Sequence, residues 1–260
     1  MVPKAQAAGS QRALWLRPVA WLWAKRAWIA AMVGIVFIAS TLFVLWAIKD
    51  LPDPSQDVLA AGDVVVLDRN GKLIEDWNPA GHYHVDLSLQ DMGAYAPKAV
   101  LAAEDRTFYS HGAIDPVSTA RALAVDVTSH GFNQGGSTIT QQLVKIQLLT
   151  PQKSLTRKVQ ELVLAVTLEQ RYSKDQILSM YLNRVYFGHG AYGIGAAAKT
   201  YFNKDAKSLT PAQAAFLAGL IQAPTAYDPV LHYDLAHERE RYVIQGMVIT
   251  GALSESEGQT

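Results

Sequence analysis

The feature that most constrains this chain is a run of 22 residues without a charged side chain, from Ala27 to Ile48. As an α-helix rising 1.5 Å per residue, such a run spans about 30 Å, the hydrocarbon thickness of a bilayer. Trp21, Trp28 and Trp46 lie near its ends, where indole rings favour the membrane interface. The run therefore predicts one transmembrane helix over residues 27–48.

The flanking residues bear on whether this helix is a retained anchor and on its orientation. A cleaved signal peptide has a shorter apolar region that ends in an A-x-A-like site, and this run is longer and lacks that site. All five charged residues in 1–26 are basic, whereas acidic residues follow the run closely. The positive-inside rule then predicts a retained anchor, a cytoplasmic basic tail at residues 1–26, and residues 49–260 outside the cytoplasm.

The rest of the chain is acidic and contains no cysteine. Residues 27–260 carry 18 basic and 23 acidic groups, a net charge of −5, and a nucleic-acid binder would normally show a basic excess. The absence of cysteine excludes a disulfide scaffold, a zinc–thiolate site, an iron–sulfur cluster and thiol catalysis. Half of the residues are apolar, which is typical of a folded globular domain.

Beyond the anchor, local signals predict a linker, a hairpin and then helices. Residues 49–61, which contain two prolines, are predicted to be a linker. Val64–Leu67 and Lys72–Ile74 flank an Asn-Gly turn and predict a β-hairpin. From Pro97 onward the apolar spacing is helical. Capping boxes at residues 173–176 and 210–213 predict two helix starts, and residues 253–257 predict the start of a last helix.

The first group of residues that could carry chemistry is Glu104, Asp105, Phe108 and His111. On a continuous helix Glu104, Phe108 and His111 would share one face. An aromatic ring beside a carboxylate desolvates it and raises its pKa toward that of a general base. The alternative, which the spacing by itself favours, is a helix end with solvated charges and one core phenylalanine.

The second group is the segment Gly135–Lys145, in which two glycines and two hydroxyl residues precede an apolar helical pattern. Backbone N–H groups at such a helix start can bind an anion. The segment is not a P-loop, because lysine and serine or threonine do not follow the second glycine in the required register.

The third group is Arg157, Lys158 and Glu161 on a predicted helix whose buried stripe would be Val159, Leu162, Val163 and Val166. Arg157 and Glu161 have the i, i+4 spacing of a surface ion pair worth about 0.5 kcal/mol. Residues 145–174 nevertheless hold six basic and two acidic side chains within an acidic chain. Such a basic patch suits an anionic ligand such as a phosphate.

Taken in this order, the motifs resemble those of the family 51 glycosyltransferases. These are the peptidoglycan polymerases found alone, as monofunctional transglycosylases, or as the N-terminal half of class A penicillin-binding proteins. The family motif E-D-x-x-F-x-x-H matches residues 104–111, G-G-S-T-I-T-Q-Q-L-x-K matches 135–145, and R-K-x-x-E matches 157–161. K-x-x-I-L-x-x-Y-L-N matches 174–183, and a closing motif begins at Arg239.

Two positions depart from the family pattern, and one set of motifs is absent. Gly112-Ala113 reverses the usual order after the first motif, and Ile146 stands where the family usually has asparagine. No S-x-x-K, S-x-N or K-T-G set follows, so no transpeptidase chemistry is expected within these 260 residues. We expect residues 256–260 to begin a truncated C-terminal region of a longer bifunctional protein.

The resemblance implies a mainly α fold with two lobes. A lysozyme-like glycosyltransferase lobe and a smaller membrane-proximal jaw lobe would occupy residues 62–255, together with the short N-terminal β-hairpin, behind one transmembrane helix. It implies a single-pass protein of the bacterial inner membrane with its catalytic domain on the outer face. The implied partners are lipid II, the growing glycan strand, the membrane and other cell-wall synthesis proteins, and no nucleic acid.

The resemblance also implies the reaction and the residues that serve it. Lipid II would be polymerised into β-1,4 glycan by an inverting displacement of undecaprenyl pyrophosphate, with Glu104 as the general base. Glu161 would be the second catalytic carboxylate, holding the leaving diphosphate or its metal, a divalent cation such as magnesium or manganese. The implied substrate-binding residues are Asp105, Phe108, His111, Ser137, Thr138, Gln142, Lys145, Arg157, Lys158 and Asn183.

Two alternative functions remain open from the sequence. A lytic enzyme acting on the same polymer would need two carboxylates flanking the bond, and it would have no pyrophosphate to hold. A non-catalytic envelope scaffold would use the motifs for structure alone. A cationic site beside a single base favours the transferase.

Overall fold

The structure is a computed structural model that describes residues 12–49, 51–52, 64–67, 69, 73–77, 86–120, 136–149 and 154–259. Residues 1–11 of the predicted tail, residues 53–61 of the predicted linker and most of the predicted hairpin turn lie outside the described residues. The chain divides into two compact units, residues 1–50 and 51–260.

The first unit is one long helix, α1 (Arg12–Ile48). Its segment Trp28–Ile48 is long and apolar enough to cross a membrane, as judged by length and composition. Large apolar side chains such as Trp28 and Phe37 are exposed along it, at 73% and 71% of their surface. A helix that is apolar on all faces requires an apolar environment around it.

The second unit begins with two antiparallel strands, β1 (Val64–Leu67) and β2 (Leu73–Trp77). Val64 lies opposite Trp77, and the pairing shifts register between Val66 and Leu67. β2 continues past Ile74, where the predicted run ended.

The remainder of the second unit is mainly helical. Its helices are α2 (Ala96–Glu104), α3 (Ile139–Gln147), α4 (Leu155–Arg171), α5 (Lys174–Arg184), α6 (Ile194–Phe202), α7 (Pro211–Leu220), α8 (Tyr233–Ile249) and α9 (Glu255–Gly258), with a 3₁₀ turn at Ala206–Ser208 and a helical stretch at residues 116–120. Both predicted capping boxes are confirmed, since Ser173 and Thr210 accept hydrogen bonds from the backbone N–H groups of Gln176 and Gln213.

Two groups of helices build the core. In one group α2, α7 and α8 pack on one another, and in the other α3 packs against α4 and α5. Side chains from both groups, among them Val100, Leu143, Tyr181 and Val243, are fully buried in a single hydrophobic cluster. The C-terminus of α2 and the N-terminus of α3 meet where the two groups join, since the side chain of Asp105 accepts a hydrogen bond from the backbone N–H of Ile139.

The buried face of α4 differs from the predicted stripe. The buried residues are Glu161, Leu164, Ala165 and Leu168, whereas Val166 is 40% exposed. The predicted residues Val159, Leu162 and Val163 are half-buried, so the prediction is wrong for Val166 and misplaces the centre of the buried face. The centre of that face carries a carboxylate, which a search for apolar periodicity leaves out. Burial of Glu161 is the first sign that the basic patch on α4 is more than a surface ion pair.

Candidate active site

Glu104 is the last residue of α2, so its side chain projects from a helix end. Asp105 leaves the helical conformation, with φ −158° and ψ 80°, and ends the helix. The predicted shared helical face of Glu104, Phe108 and His111 is therefore wrong. Phe108 is a core residue whose ring lies edge-on to Tyr109 at 5.3 Å, with the Nζ atom of Lys174 4.3 Å from the ring centre.

The carboxylate of Glu104 is buried and is hydrogen-bonded through one oxygen. Its Oε2 accepts a hydrogen bond from Nε2 of Gln142 at 3.0 Å, and its Oε1 is buried with no hydrogen-bond partner among the described residues. Burial raises the pKa of Glu104 above its usual value, against the lowering effects of the Gln142 hydrogen bond and of the charges of Arg239 and Lys145. A desolvated carboxylate with one uncommitted oxygen has the properties of a general base.

Glu104 lies on a cleft of about 630 Å³. Five of the predicted site residues line this cleft: Glu104, Asp105, His111, Ser137 and Thr138. The walls also include Gln222, Arg239 and Tyr242, to which sequence reasoning assigned no role.

Asp105 connects the first motif to the second. Its Oδ1 lies 2.7 Å from Nε2 of His111, and its Oδ2 accepts a hydrogen bond from the backbone N–H of Ile139 at 3.1 Å. Although burial alone would lower the pKa of His111, the hydrogen bond to Asp105 raises it. The anion at the N-terminus of α3 is thus a carboxylate of the protein itself, where its negative charge complements the helix dipole.

The hydroxyl groups at the start of α3 have different roles. Thr138 is buried, and its hydroxyl accepts a hydrogen bond from the backbone N–H of Gln141 and donates one to the carbonyl of Ala113 at 2.8 Å. This hydroxyl is committed to the helix cap. The acceptor at position 113 is a backbone carbonyl, which any residue at that position provides. The reversed order of Gly112 and Ala113 therefore does not remove this hydrogen bond.

The basic group on α4 is organised around Glu161. Glu161 is 2% exposed and forms an ion pair with Lys158, so the predicted pair with Arg157 is wrong. The Nζ atom of Lys158 also lies 3.3 Å from Oγ of Ser137 and 3.4 Å from Oε1 of Gln141. Because Ser137 lines the cleft, this contact places the positive charge of Lys158 beside it.

Arg157 lies next to Lys158 in sequence, and its Nε is buried with no hydrogen-bond partner among the described residues. A guanidinium with an unused donor can bind a phosphate through parallel N–H bonds. Of the two adjacent cations, Lys158 reaches Ser137 of the cleft, and Arg157 does not line the cleft.

The residues around Glu161 do not fit a divalent cation held by the protein. A magnesium site built by the protein alone would need several oxygen ligands in octahedral geometry, whereas magnesium bound with a phosphate substrate needs only one or two carboxylates. The carboxylate of Glu161 instead binds an ammonium group, and no group of three or more acidic or histidine side chains that could hold a metal occurs among the described residues. This donor set fits a lysine cation.

Two further predicted residues lie apart from the cleft lining. Lys145 is exposed on α3 beside Ile146, and its charge lowers the pKa of Glu104. Asn183 on α5 is buried, and its amide donates to the carbonyl of Leu87 at 2.9 Å and accepts from the N–H of Leu87 at 3.0 Å. These two bonds hold the segment before α2 against α5.

We expect Asn183→Ala to lower the free energy of unfolding by about 1–2 kcal/mol, because the N–H of Leu87 loses its acceptor while the carbonyl of Leu87 keeps only the weaker bond from the hydroxyl of Ser179 at 3.3 Å. Chemical denaturation of the purified protein measures this change. If Asn183 acts by holding Leu87, the rate per folded molecule stays near that of the wild type. A large loss of rate without a loss of stability would instead indicate direct contact with substrate.

Arg239 and Tyr242 of α8 form the side of the cleft that sequence reasoning missed. The guanidinium carbon of Arg239 lies 4.5 Å from the ring centre of Tyr242, and that of Arg106 lies 5.5 Å from it. Nε of Arg239 is buried without a hydrogen-bond partner among the described residues. The sequence indicated Arg239 in part, since this residue opens the closing motif. Spacing along the chain does not reveal that Arg239 lies near Glu104.

Comparison with known proteins identifies relatives for most of the chain. The sequence model of the family described as Transglycosylase matches residues 70–248. Penicillin-binding protein 1A/1B of Bacillus subtilis is 42% identical over 231 residues, which cover 88% of this chain and 25% of that protein. Penicillin-binding protein 1A of Mycobacterium tuberculosis is 39% identical over 242 residues, covering 91% of this chain and 29% of that protein.

A solved structure is also similar. The crystal structure of Penicillin-Binding Protein 1A from Haemophilus influenzae matches 76% of this chain and 20% of its own chain, with a TM-score of 0.41 and 21% identity. The chain spans about a quarter of the length of the curated relatives quoted above.

Proposed function

The chain belongs to the transglycosylase family, and we propose that it is a membrane-anchored peptidoglycan glycosyltransferase that polymerises lipid II into β-1,4 glycan strands. The observation that carries the proposal is the buried carboxylate of Glu104 on a cleft that the cation of Lys158 approaches through Ser137. A base for a hydroxyl nucleophile and cations for an anionic leaving group are the two requirements of this transfer.

In the proposed reaction Glu104 activates the acceptor. Its carboxylate receives the proton of the acceptor sugar hydroxyl as the hydroxyl oxygen attacks the anomeric carbon of the donor. The bond from that carbon to the pyrophosphate oxygen breaks, and the electron pair leaves with undecaprenyl pyrophosphate. A single displacement by one base inverts the configuration at the anomeric carbon.

The leaving pyrophosphate gains negative charge and needs cations rather than a proton. Lys158 and Arg157 would supply them, with Glu161 holding the ammonium of Lys158 in place. Preorganised charges of this kind stabilise a transition state more than they stabilise the ground state. All charge neutralisation in the proposal comes from side chains of the chain, and no step passes through a metal.

A lytic activity on the same polymer has less support from the site. A glycoside hydrolase needs a second carboxylate that is available beside the scissile bond. Both oxygens of Asp105 are hydrogen-bonded, and Glu161 is paired with Lys158. These engagements favour transfer with a pyrophosphate leaving group.

The architecture belongs to the same proposal. Residues 62–255 would form a lysozyme-like lobe and a jaw lobe next to the membrane. Residues 27–48 would be a retained anchor in the bacterial inner membrane, with residues 49–260 on its outer face. Lipid II and the growing strand would be the ligands, and other cell-wall synthesis proteins the partners.

Incubation of the full chain in detergent with labelled lipid II tests the proposed function. We expect glycan strands to appear on a gel while free undecaprenyl pyrophosphate accumulates. A parallel incubation with preformed, uncrosslinked glycan strands tests the lytic alternative. Shortening of those strands, without polymerisation of lipid II, would overturn the proposal.

A further inference from the structure

Three side chains from three helices form a chain of hydrogen bonds that ends on Glu104. The hydroxyl of Tyr181 on α5 donates to Oε1 of Gln142 on α3 at 2.9 Å. Nε2 of the same amide donates to Oε2 of Glu104 at the end of α2 at 3.0 Å. Tyr181 is completely buried, so its hydroxyl has no bulk water as an alternative partner.

The direction of this chain follows from the chemistry of its two ends. An ionised carboxylate can only accept hydrogen bonds, so the amide of Gln142 must turn its NH₂ group toward Glu104. The amide oxygen then faces Tyr181, whose hydroxyl must donate to it. Tyr181 therefore stabilises the amide orientation that the ionised form of Glu104 requires.

We propose that Tyr181, acting through Gln142, is a positioning residue that holds Oε2 of Glu104 and so fixes the orientation in which the carboxylate receives the proton of the acceptor hydroxyl. This inference rests on the proposed function, and it assigns Gln142 to holding the base instead of to binding substrate. Because α3, α5 and the end of α2 each contribute one residue, packing of the three helices sets the position of the reacting oxygen.

The pH dependence of the reaction reports this role. The charged and titratable groups that act on Glu104 are Arg239, Lys145, Asp105 and Tyr181. The Gln142 hydrogen bond is the largest of the influences that lower the pKa of Glu104, so loosening it raises that pKa further. A base must be ionised to act, and the acid limb of the rate profile therefore moves to higher pH.

The first test compares Tyr181→Phe with Tyr201→Phe. Tyr201 is a matched control, because its hydroxyl donates to the backbone carbonyl of Phe187 at 2.8 Å and does not line the cleft. We expect Tyr181→Phe to lower kcat about tenfold with little change in KM, and to shift the acid limb to higher pH. Tyr201→Phe should change the melting temperature alone.

The second test is a double-mutant cycle with Gln142→Met, which removes the same link from the other side at similar volume. If Tyr181 acts through Gln142, the double variant is no slower than Gln142→Met alone. Gln142→Met by itself shifts the acid limb in the same direction, so the test remains available if Tyr181→Phe folds poorly.

Three results would show whether the positioning role of Tyr181 or the proposed function itself is wrong. If Tyr201→Phe and the wild type polymerise lipid II and Tyr181→Phe matches them in kcat and acid limb, the positioning role is wrong and the proposed function stands. Additive effects of the two substitutions also overturn the role. If the wild type itself does not polymerise lipid II, the proposed function fails first.

Discussion

Glu104→Gln is expected to lower the single-turnover rate of polymerisation by about 10²-fold or more, because glutamine keeps the shape of the side chain but cannot take a proton. The burial of the Glu104 side chain supports this expectation. A burial that raises the pKa of Glu104 is useful to a base and costly to a residue with a purely structural role. Labelled lipid II in excess enzyme measures the rate, and circular dichroism verifies the fold.

Glu238→Gln provides a matched control for this substitution. Glu238 lies on α8, is exposed, and does not line the cleft of Glu104. It should polymerise at the wild-type rate. For the wild type, the raised pKa of Glu104 predicts that activity falls with decreasing pH at a higher pH than for an ordinary glutamate. A folded Glu104→Gln protein that polymerises at a near wild-type rate would refute the assignment of the base.

The second large effect is expected at the cations of α4. Lys158→Met and Arg157→Met should each lower kcat about 10²-fold while changing donor KM less, since their charges act on the pyrophosphate as its negative charge develops. Glu161→Gln should also slow the reaction, because Lys158 loses the carboxylate that holds it. Single-turnover rates with a lipid-linked donor measure each effect.

The melting temperatures of the variants distinguish a catalytic role of Lys158 and Arg157 from a purely structural role. Removing Lys158 leaves the buried carboxylate of Glu161 without its partner, so the melting temperature should fall. Arg157→Met removes a guanidinium whose Nε has no partner among the described residues, so its melting temperature should stay near the wild-type value. Arg171→Met, at the other end of α4, should retain the rate. Unchanged rates in both variants, with a loss of stability in Lys158→Met alone, would support an ion pair of Lys158 and Glu161 without a catalytic role.

Much of the local structure of this protein can be predicted from residues that are close together in the sequence. The charge-free run from Ala27 to Ile48 predicts an apolar helix, because length and hydropathy are properties of the segment alone. The capping boxes at Ser173 and Thr210 place helix starts correctly, because each involves residues three positions apart. Residues of two separate motifs, Glu104, Asp105 and His111 of the first and Ser137 and Thr138 of the second, line one cleft.

The tertiary structure determined which hydrogen-bond and ion-pair partners the site residues have. The choice of Lys158 over Arg157 as the partner of Glu161 depends on which face of α4 is buried. The binding of Asp105 to the N-terminus of α3 depends on how the two groups of helices meet, because these contacts join residues 34 positions apart. Spacing rules describe neighbours within about one helical turn, whereas the packing of distant helices determines which buried polar groups satisfy one another.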